Sequence, residues 1–309
     1  MAGEAVRTPA RESGREGLTD RQAMDRLLGV YLLVSGVALA FPGRGPRWPV
    51  LALLHLLGAC LGLGLVPPRL TDAMRACAPR LVELLHDWYP LLLMPLLYEE
   101  LATLNVAVHG ARYFDPWIQR AETFLFGLQP SYALSRALPY LSISEPLHAA
   151  YLSYYFIIYG PPLLLFALGR RGDFRRLVFP LMLTFFVHYL FFIYLPVQGP
   201  RYLFAAPGGH LAEGPVYQLA HRLLEAGSSR GAAFPSSHVA VSTTQTLSVY
   251  RFLPRLTPVV AVLAAGLALG AVYGGFHYAT DALAGFVLGV LLFLLAPRAQ
   301  RLLLAAGAR

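Results

Sequence analysis

Lysine is absent from this 309-residue chain, and all 25 basic residues are arginine. That removes lysine Schiff-base chemistry and any phosphate-binding loop built on a lysine. Charge of either sign is scarce: 14% of residues are Asp, Glu, Arg or Lys, against about 25% in soluble globular domains. So little charge cannot cover a water-exposed surface of this length. Cysteine is also nearly absent. Cys60 lies in an apolar block and Cys77 in a polar connection, with no CxxC, so neither a disulfide framework nor a thiolate metal site is implied.

What fills the chain is apolar. Hydrophobic residues make up 56% of it, gathered in blocks at 27–41, 48–66, 89–108, 147–168, 177–196, 238–252, 256–275 and 281–296. A helical membrane span takes roughly 20 such residues, and the blocks at 27–41, 238–252 and 281–296 must borrow flanking residues to reach that length. The expected fold is all-α: a polytopic transmembrane helical bundle of six to eight spans, with short interfacial helices. Four regions follow. Residues 1–25 form a polar tail, rich in arginine and glutamate and expected to be disordered. A transmembrane hairpin at 26–84 comes next, then a catalytic membrane domain at 85–297 and a short tail at 298–309. The polar leader is long for a secretory signal and no small-residue cleavage site follows it, so the first apolar run reads as a retained span.

The arginines sit in short loops between apolar blocks, so they read as topology determinants rather than as a nucleic-acid surface. With the N-terminus inside, seventeen fall in inside segments and eight outside. Arg170, Arg171, Arg175 and Arg176 are the strongest inside cluster. Both termini are therefore expected to be cytoplasmic, in the cell (inner) membrane. Two outside segments carry capped short helices. One starts at Asp115-Pro116 and stops at Gly127, with Trp117, Ala121, Phe124 and Leu125 on one face. The other runs from Pro215 to about Ala226, with Val216, Leu219, Ala220, Leu223 and Leu224 on one face and Gln218, His221, Arg222 and Glu225 facing away from it. Either could lie in the headgroup layer or pack on the protein. Gly266, Gly270, Gly274, Gly285 and Gly289 recur at four-residue spacing, which lets helices approach closely in lipid.

Three segments of the last 110 residues carry chemistry. His277 and Asp281 are four apart at the start of a helix and share one face, where an aspartate can accept a hydrogen bond from the imidazole Nδ1–H, fix the tautomer and leave Nε2 free as nucleophile or base. Alone, that spacing is more often a structural hydrogen bond. His238 follows Pro235-Ser236-Ser237 at a helix opening, a natural phosphate site with hydroxyl donors and a histidine placed to protonate a leaving alkoxide. Arg201, after Gly199-Pro200, is suited to bidentate phosphate binding or to snorkelling at the interface. The topology brings all three to one membrane face, where convergent polar groups point to function. Glu99 and Glu100 lie in an apolar block with Asn105, as acceptor-binding groups or as a buried network. His188 reads as a packed core histidine.

These residues resemble the phosphatidic acid phosphatase type 2 superfamily. Pro235-Ser236-Ser237-His238 is similar to its second motif, with Ser237 where most members have glycine. His277 and Asp281 are similar to the third motif, and Arg201 to the arginine of the first. Two cations of the phosphatase pattern are missing: Tyr194 and Ala271 stand in their places. Gly199-Pro200-Arg201-Tyr202, Tyr98-Glu99-Glu100, the segment from Asp115 to Pro130 and the run Tyr151-Leu152-Ser153-Tyr154-Tyr155-Phe156 look like the inositol phosphorylceramide synthase-like branch. The resemblance covers roughly residues 85–296. It implies a metal-independent, cofactor-free membrane enzyme acting on a lipid phosphate at the extracytoplasmic face, with an alcohol or water as acceptor. His277 would attack phosphorus, Asp281 would orient it, and His238 would act as acid and then base. Arg201, Ser236 and Ser237 would hold the phosphoryl oxygens, while Glu99, Glu100, Tyr154 and Tyr155 are candidates for substrate or acceptor binding. Three readings compete with transfer: a plain lipid or isoprenoid phosphate phosphatase, a transporter or lipid-binding protein with a degenerate site, and a metallohydrolase using His238, His277 and Asp281. The oligomeric state is not legible.

Overall fold

A computed structural model describes residues 9–43, 45–65 and 79–306. Thirteen α-helices make up nearly all of it: α1 (Pro9–Gly36), α2 (Trp48–Gly62), α3 (Pro79–Glu99), α4 (Leu101–His109), α5 (Asp115–Phe126), α6 (Pro130–Ala137), α7 (Leu141–Leu152), α8 (Tyr154–Ala167), α9 (Arg171–Tyr194), α10 (Pro215–Gly227), α11 (Ser237–Phe252), α12 (Thr257–Tyr273) and α13 (Ala279–Ala306). Among the described residues, four stretches are long and apolar enough to cross a membrane: Thr19–Ala40, Arg171–Tyr194, Pro254–Tyr273 and Ala279–Ala306. The bent pairs Leu81–Glu99 with Leu101–His109 (45°) and Leu141–Leu152 with Tyr154–Ala167 (41°) bring the number to six. The chain is an integral membrane protein with an all-α bundle fold. The expected blocks at 48–66 and 238–252 are helical too. However, α2 is only 15 residues long, and α11 carries too many hydroxyl and amide side chains to count by apolarity.

The polarity of α11 follows from its place at the centre of the bundle, packed on α8, α9, α12 and α13. Its polar groups meet protein rather than lipid. Thr244 Oγ1 donates to the Gly289 carbonyl at 3.0 Å and lies 3.0 Å from Thr184 Oγ1, and Gln245 Nε2 donates to the Ile158 carbonyl at 3.3 Å. The glycine spacing serves this packing. A Cβ on Gly285 would stand 2.4 Å from the Ser236 carbonyl oxygen, and one on Gly289 2.5 Å from that of Ala240. Gly270 meets α7 in the same way, 2.3 Å from the Leu147 carbonyl. In lipid, close backbone approach of this kind replaces the hydrophobic drive that joins helices in water.

The polar leader expected to be disordered through residue 25 is helical from Pro9, continuous with the first span. A span already formed removes the nucleation cost, so helix propagates outward through the Arg- and Glu-rich sequence. Bundle partners fix it: Arg21 Nε donates to Asp87 of α3 at 2.9 Å, and Asp25 accepts from Tyr89 at 2.6 Å. The tail expected from residue 298 likewise continues α13 to Ala306, where Gln300 donates to Asp20. Residues 1–8 and Cys77 lie outside the described residues.

Polar loops gather at two ends. At one, Asp87 sits among Arg21 of α1 and Arg175 and Arg171 of α9, at 2.9, 2.8 and 3.9 Å. The other end of α9 is about 36 Å away at 1.5 Å per residue. There the segments 109–146 and 197–237 pack together: Asp115 accepts the N–H groups of Gln198 and Gly199, and Glu145 those of Val216 and Tyr217. We expect Gly289→Val to destabilise the detergent-solubilised protein by about 1–3 kcal/mol, read as a lowered melting temperature, because the atoms it meets on Ala240 are backbone. A wild-type melting temperature would show that α11 and α13 are not held by this approach.

Candidate active site

Two bends and two helix starts assemble the site. After α9 the chain turns at Gly199, whose φ of +91° and missing side chain bring it against Ala233 and the Phe276 carbonyl. Val197 and Ala232 then pair as an isolated parallel bridge: Val197 N–H donates to the Gly231 carbonyl and Ala233 N–H to that of Val197. This joins the arginine segment to the Pro-Ser-Ser-His segment. The Ala233 carbonyl accepts in turn from His277 Nδ1 at 3.0 Å, which joins both to the third segment. Ser236 N–H closes the ring by donating to the Asp281 carbonyl at 3.0 Å.

The two histidines meet directly. His277 Nε2 lies 3.3 Å from His238 Nδ1, and His238 Nε2 lies 3.2 Å from the Tyr151 hydroxyl. A carbonyl only accepts, so His277 Nδ1 carries its proton and Nε2 presents a lone pair. With both imidazoles neutral, His238 Nδ1 must then be the donor to His277, and its Nε2 accepts from Tyr151. Every hydrogen in the row Tyr151–His238–His277–Ala233 is thereby placed. A nucleophilic nitrogen and a proton donor face each other, as transfer of a group from an alkoxide requires. A phosphoryl group seated between them must widen the 3.3 Å gap.

Asp281 works differently from the expectation. Its Oδ2 is 3.6 Å from His277 Nδ1, beyond hydrogen-bonding reach, and instead accepts the Tyr278 N–H at 2.9 Å. The reason is local. α13 begins at Ala279, so His277 precedes the helix and does not share its face. Asp281 is the third helical residue and reaches back to cap the residue before the first.

Ser236 is the N-cap of α11, accepting from Val239 N–H, and its own N–H is spent on Asp281. The first-turn N–H groups at Ser237 and His238 have no acceptor within the helix, so the anion-binding capacity of the turn lies there. Arg201 touches neither histidine. Its Nη1 donates to Ser228 Oγ at 2.9 Å and to the Leu224 carbonyl at 3.2 Å, at the C-terminal end of α10. The positions that lack family cations are structural: Tyr194 donates to the Val34 carbonyl of α1, and the Ala271 carbonyl accepts His277 N–H at 3.0 Å.

Next to His238 opens a cavity of about 270 Å³ between α3, α8, α9 and α10. Tyr98, Tyr151, Tyr154, Tyr155, Tyr159 and Tyr189 line it, with Glu99, Leu223, Ser228 and Ser237. The 41° bend after Leu152 puts the last turn of α7 and the first of α8 on the same histidine, so the Tyr151 and Tyr154 rings stand 5.1 and 4.3 Å from that of His238. Glu99, Tyr154 and Tyr155 therefore share the cavity, and Glu100 does not. One residue further along a bent helix, Glu100 points to α2, where Oε1 lies 3.4 Å from His55 Nε2. His188 is a buried core histidine, its Nδ1 donating to the Thr184 carbonyl.

Sequence reasoning missed two carboxylates. α5 buries Asp115 and Glu122, at 2% and 0% exposure, and turns its aromatic face outward, with Trp117 and Phe124 71% and 88% exposed. Seven residues apart on one face, the acids brace the site. Asp115 holds the Gln198 and Gly199 N–H groups at 2.9 Å each and accepts the Tyr278 hydroxyl at 3.2 Å. Glu122 accepts the Ala279 N–H at the mouth of α13. The signal was two acids at helical period opposite an aromatic stripe, which in a membrane protein can face outward. His221 of α10 also departs from expectation, turning inward to stack on Tyr217 with ring centroids 4.0 Å apart.

Burial, reinforced by the charge of Asp281, pushes the Glu122 carboxyl up to about 7 against the pull of the Ala279 N–H. A carboxyl raised on folding stabilises the fold below its unfolded value of about 4.5, and that stability is lost as pH rises through 7. Glu122→Gln keeps an acceptor and removes the ionisation. Melting temperatures at pH 5 and pH 8 should therefore differ less in Glu122→Gln than in wild type, and an unchanged difference would contradict this account of Glu122.

Among the described residues, no three His, Cys, Asp or Glu side chains are grouped so that they could hold a metal ion, so the metallohydrolase reading finds no ligand set there. A family model described as the PAP2 superfamily matches residues 116–295. No curated protein and no solved structure matches the chain significantly. The matched stretch is more than half of the chain and contains Arg201, His238, His277 and Asp281, so the protein belongs to the PAP2 superfamily of lipid phosphatase and phosphotransferase-type membrane enzymes.

Proposed function

We propose that the protein is a phosphotransferase that moves a phosphoryl or phospho-headgroup from a membrane lipid to an alcohol acceptor through a phosphohistidine on His277, on the inositolphosphotransferase-like branch. The carrying observation is the pair of imidazoles 3.3 Å apart beside a tyrosine-lined cavity. His277 Nε2 attacks phosphorus and the bond to the leaving oxygen breaks. His238, protonated on substrate binding, gives its Nδ1 proton to that oxygen. The acceptor O–H then returns a proton to His238 as its oxygen takes the phosphoryl group from His277. Asp281 stabilises the cationic phosphoimidazole from 3.6 Å. Arg201, whose two bonds both run through Nη1, and the first-turn N–H groups at Ser237 and His238 hold the phosphoryl oxygens, with Ser236 shaping that turn.

The cavity supports an alcohol acceptor. Six tyrosines and a carboxylate at its rim can order a polyol or lipid alcohol, and an ordered acceptor gains effective molarity that loose water lacks. The apolar walls suit the body of a lipid. The site lies at the extracytoplasmic face of the cell membrane, with the Asp87 arginine cluster on the cytoplasmic side, and needs no metal. The test is purified protein with a phosphate-labelled phospholipid, with chelator present throughout and candidate polyols added. Label should enter a new ester only when acceptor is present, and Glu99→Gln should weaken that step more than tenfold while sparing hydrolysis. Free phosphate as sole product, with every polyol and lipid alcohol tried, would make the protein a phosphatase. Loss of turnover on chelation would end the metal-free mechanism.

A further inference from the structure

We propose that Tyr151 is a positioning residue for acid–base catalysis, its hydroxyl donating to His238 Nε2 in the resting neutral pair and accepting from it once His238 is protonated for turnover. The inference rests on the phosphotransfer reading above. His238 must be a cation when it protonates the leaving oxygen and neutral when it takes the acceptor's proton. Its Nδ1 faces His277 and the reacting phosphoryl group and makes both transfers, so Nε2 keeps its proton through turnover and holds a lone pair only in the resting neutral pair. The partner of that nitrogen must suit both. A carbonyl or carboxylate would hold a proton on Nε2, and an N–H donor would exclude one. A hydroxyl rotates between the two roles.

Tyr151 is placed to do this. Its hydroxyl is 3.2 Å from Nε2, and its ring stacks on the imidazole at 26° with centroids 5.1 Å apart. The ring is buried, with Phe276 4.6 Å away on another side. The imidazole is thus clamped by the same residue that satisfies its far nitrogen, and the aim of Nδ1 is fixed by both contacts. No proton leaves Tyr151 in either step: the proton lost by Nδ1 goes to the leaving oxygen, the one regained comes from the acceptor, and the hydroxyl goes on accepting from Nε2–H. Tyr154, whose ring lies 4.3 Å from that of His238, supplies the same packing without that bond.

The experiment compares two substrates on one membrane preparation: a long-chain alkyl phosphate, whose leaving oxygen needs a proton, and an aryl phosphate, whose leaving oxygen does not. The ratio of the two rates cancels the amount of folded protein. Tyr151→Phe should lower kcat/KM on the alkyl ester at least about tenfold and on the aryl ester by less than about threefold, a fraction of what a full acid contributes. His238→Ala should show the same selectivity more deeply, and Tyr154→Phe should leave the ratio unchanged. Equal losses on both esters, or no loss on either, would overturn the role of Tyr151 while leaving the phosphotransfer reading intact. Absence of turnover of both esters by the wild-type protein would instead remove that reading and this proposal with it.

Discussion

The bond from His277 Nδ1 to the Ala233 carbonyl is the contact on which the site depends. It fixes the tautomer of His277, so that Nε2 faces His238 with a lone pair. It also ties the third motif to the second, which the bridge at Val197 and Ala232 has already tied to the first. Backbone holds backbone through most of this chain, and backbone amides in apolar surroundings have no water to turn to. That is why three loops between spans, with little sheet and no disulfide among the described residues, keep a defined geometry.

Buried carboxylates do the second share of the work, each as a terminus for N–H groups that would otherwise be orphaned at a helix or loop start. Asp281 closes the start of α13 from within, and Glu122 closes it from α5. Asp115 holds the turn before Arg201, and Glu145 the start of α10. Negative charge at these N-termini is favoured by the peptide dipoles. The cost is burial: out of water, and with Asp281 nearby, the Glu122 carboxyl is pushed up to about 7. α5 carries this brace on one face and an exposed aromatic stripe on the other. An exposed aromatic face and the bracing of the site are thus borne by one short helix.

Most of the fold was legible because membrane spans announce themselves by length and apolarity. The exceptions have local causes. α11 conceals its role because a helix surrounded by other helices can afford Thr184 and Gly289 as partners for Thr244. The two bends were hidden inside continuous apolar runs, and with them the split of Glu99 from Glu100 and the pairing of Tyr151 with Tyr154. Of the site, the side chains with their own chemistry were visible as motifs: His238 and His277 do meet. Asp281 was read on the wrong geometry because a spacing of four was taken as one helix face, when the helix starts two residues after His277. The Ala233 carbonyl was invisible because a backbone acceptor leaves no pattern; Asp115 and Glu122 were spaced at helical period opposite an aromatic stripe, but what they brace shows only once the segments they join are known.

The central claim is that His277 Nε2 becomes bonded to phosphorus. Acid-free quenching of the protein during turnover of a labelled phospholipid, followed by peptide mapping under alkaline conditions, reads this directly. Label should appear on the peptide containing His277, at Nε2, disappear when acceptor is added, and be absent from His277→Ala. Label on His238 or on any other residue, or turnover by His277→Ala at more than a few per cent of the wild-type rate, would contradict it.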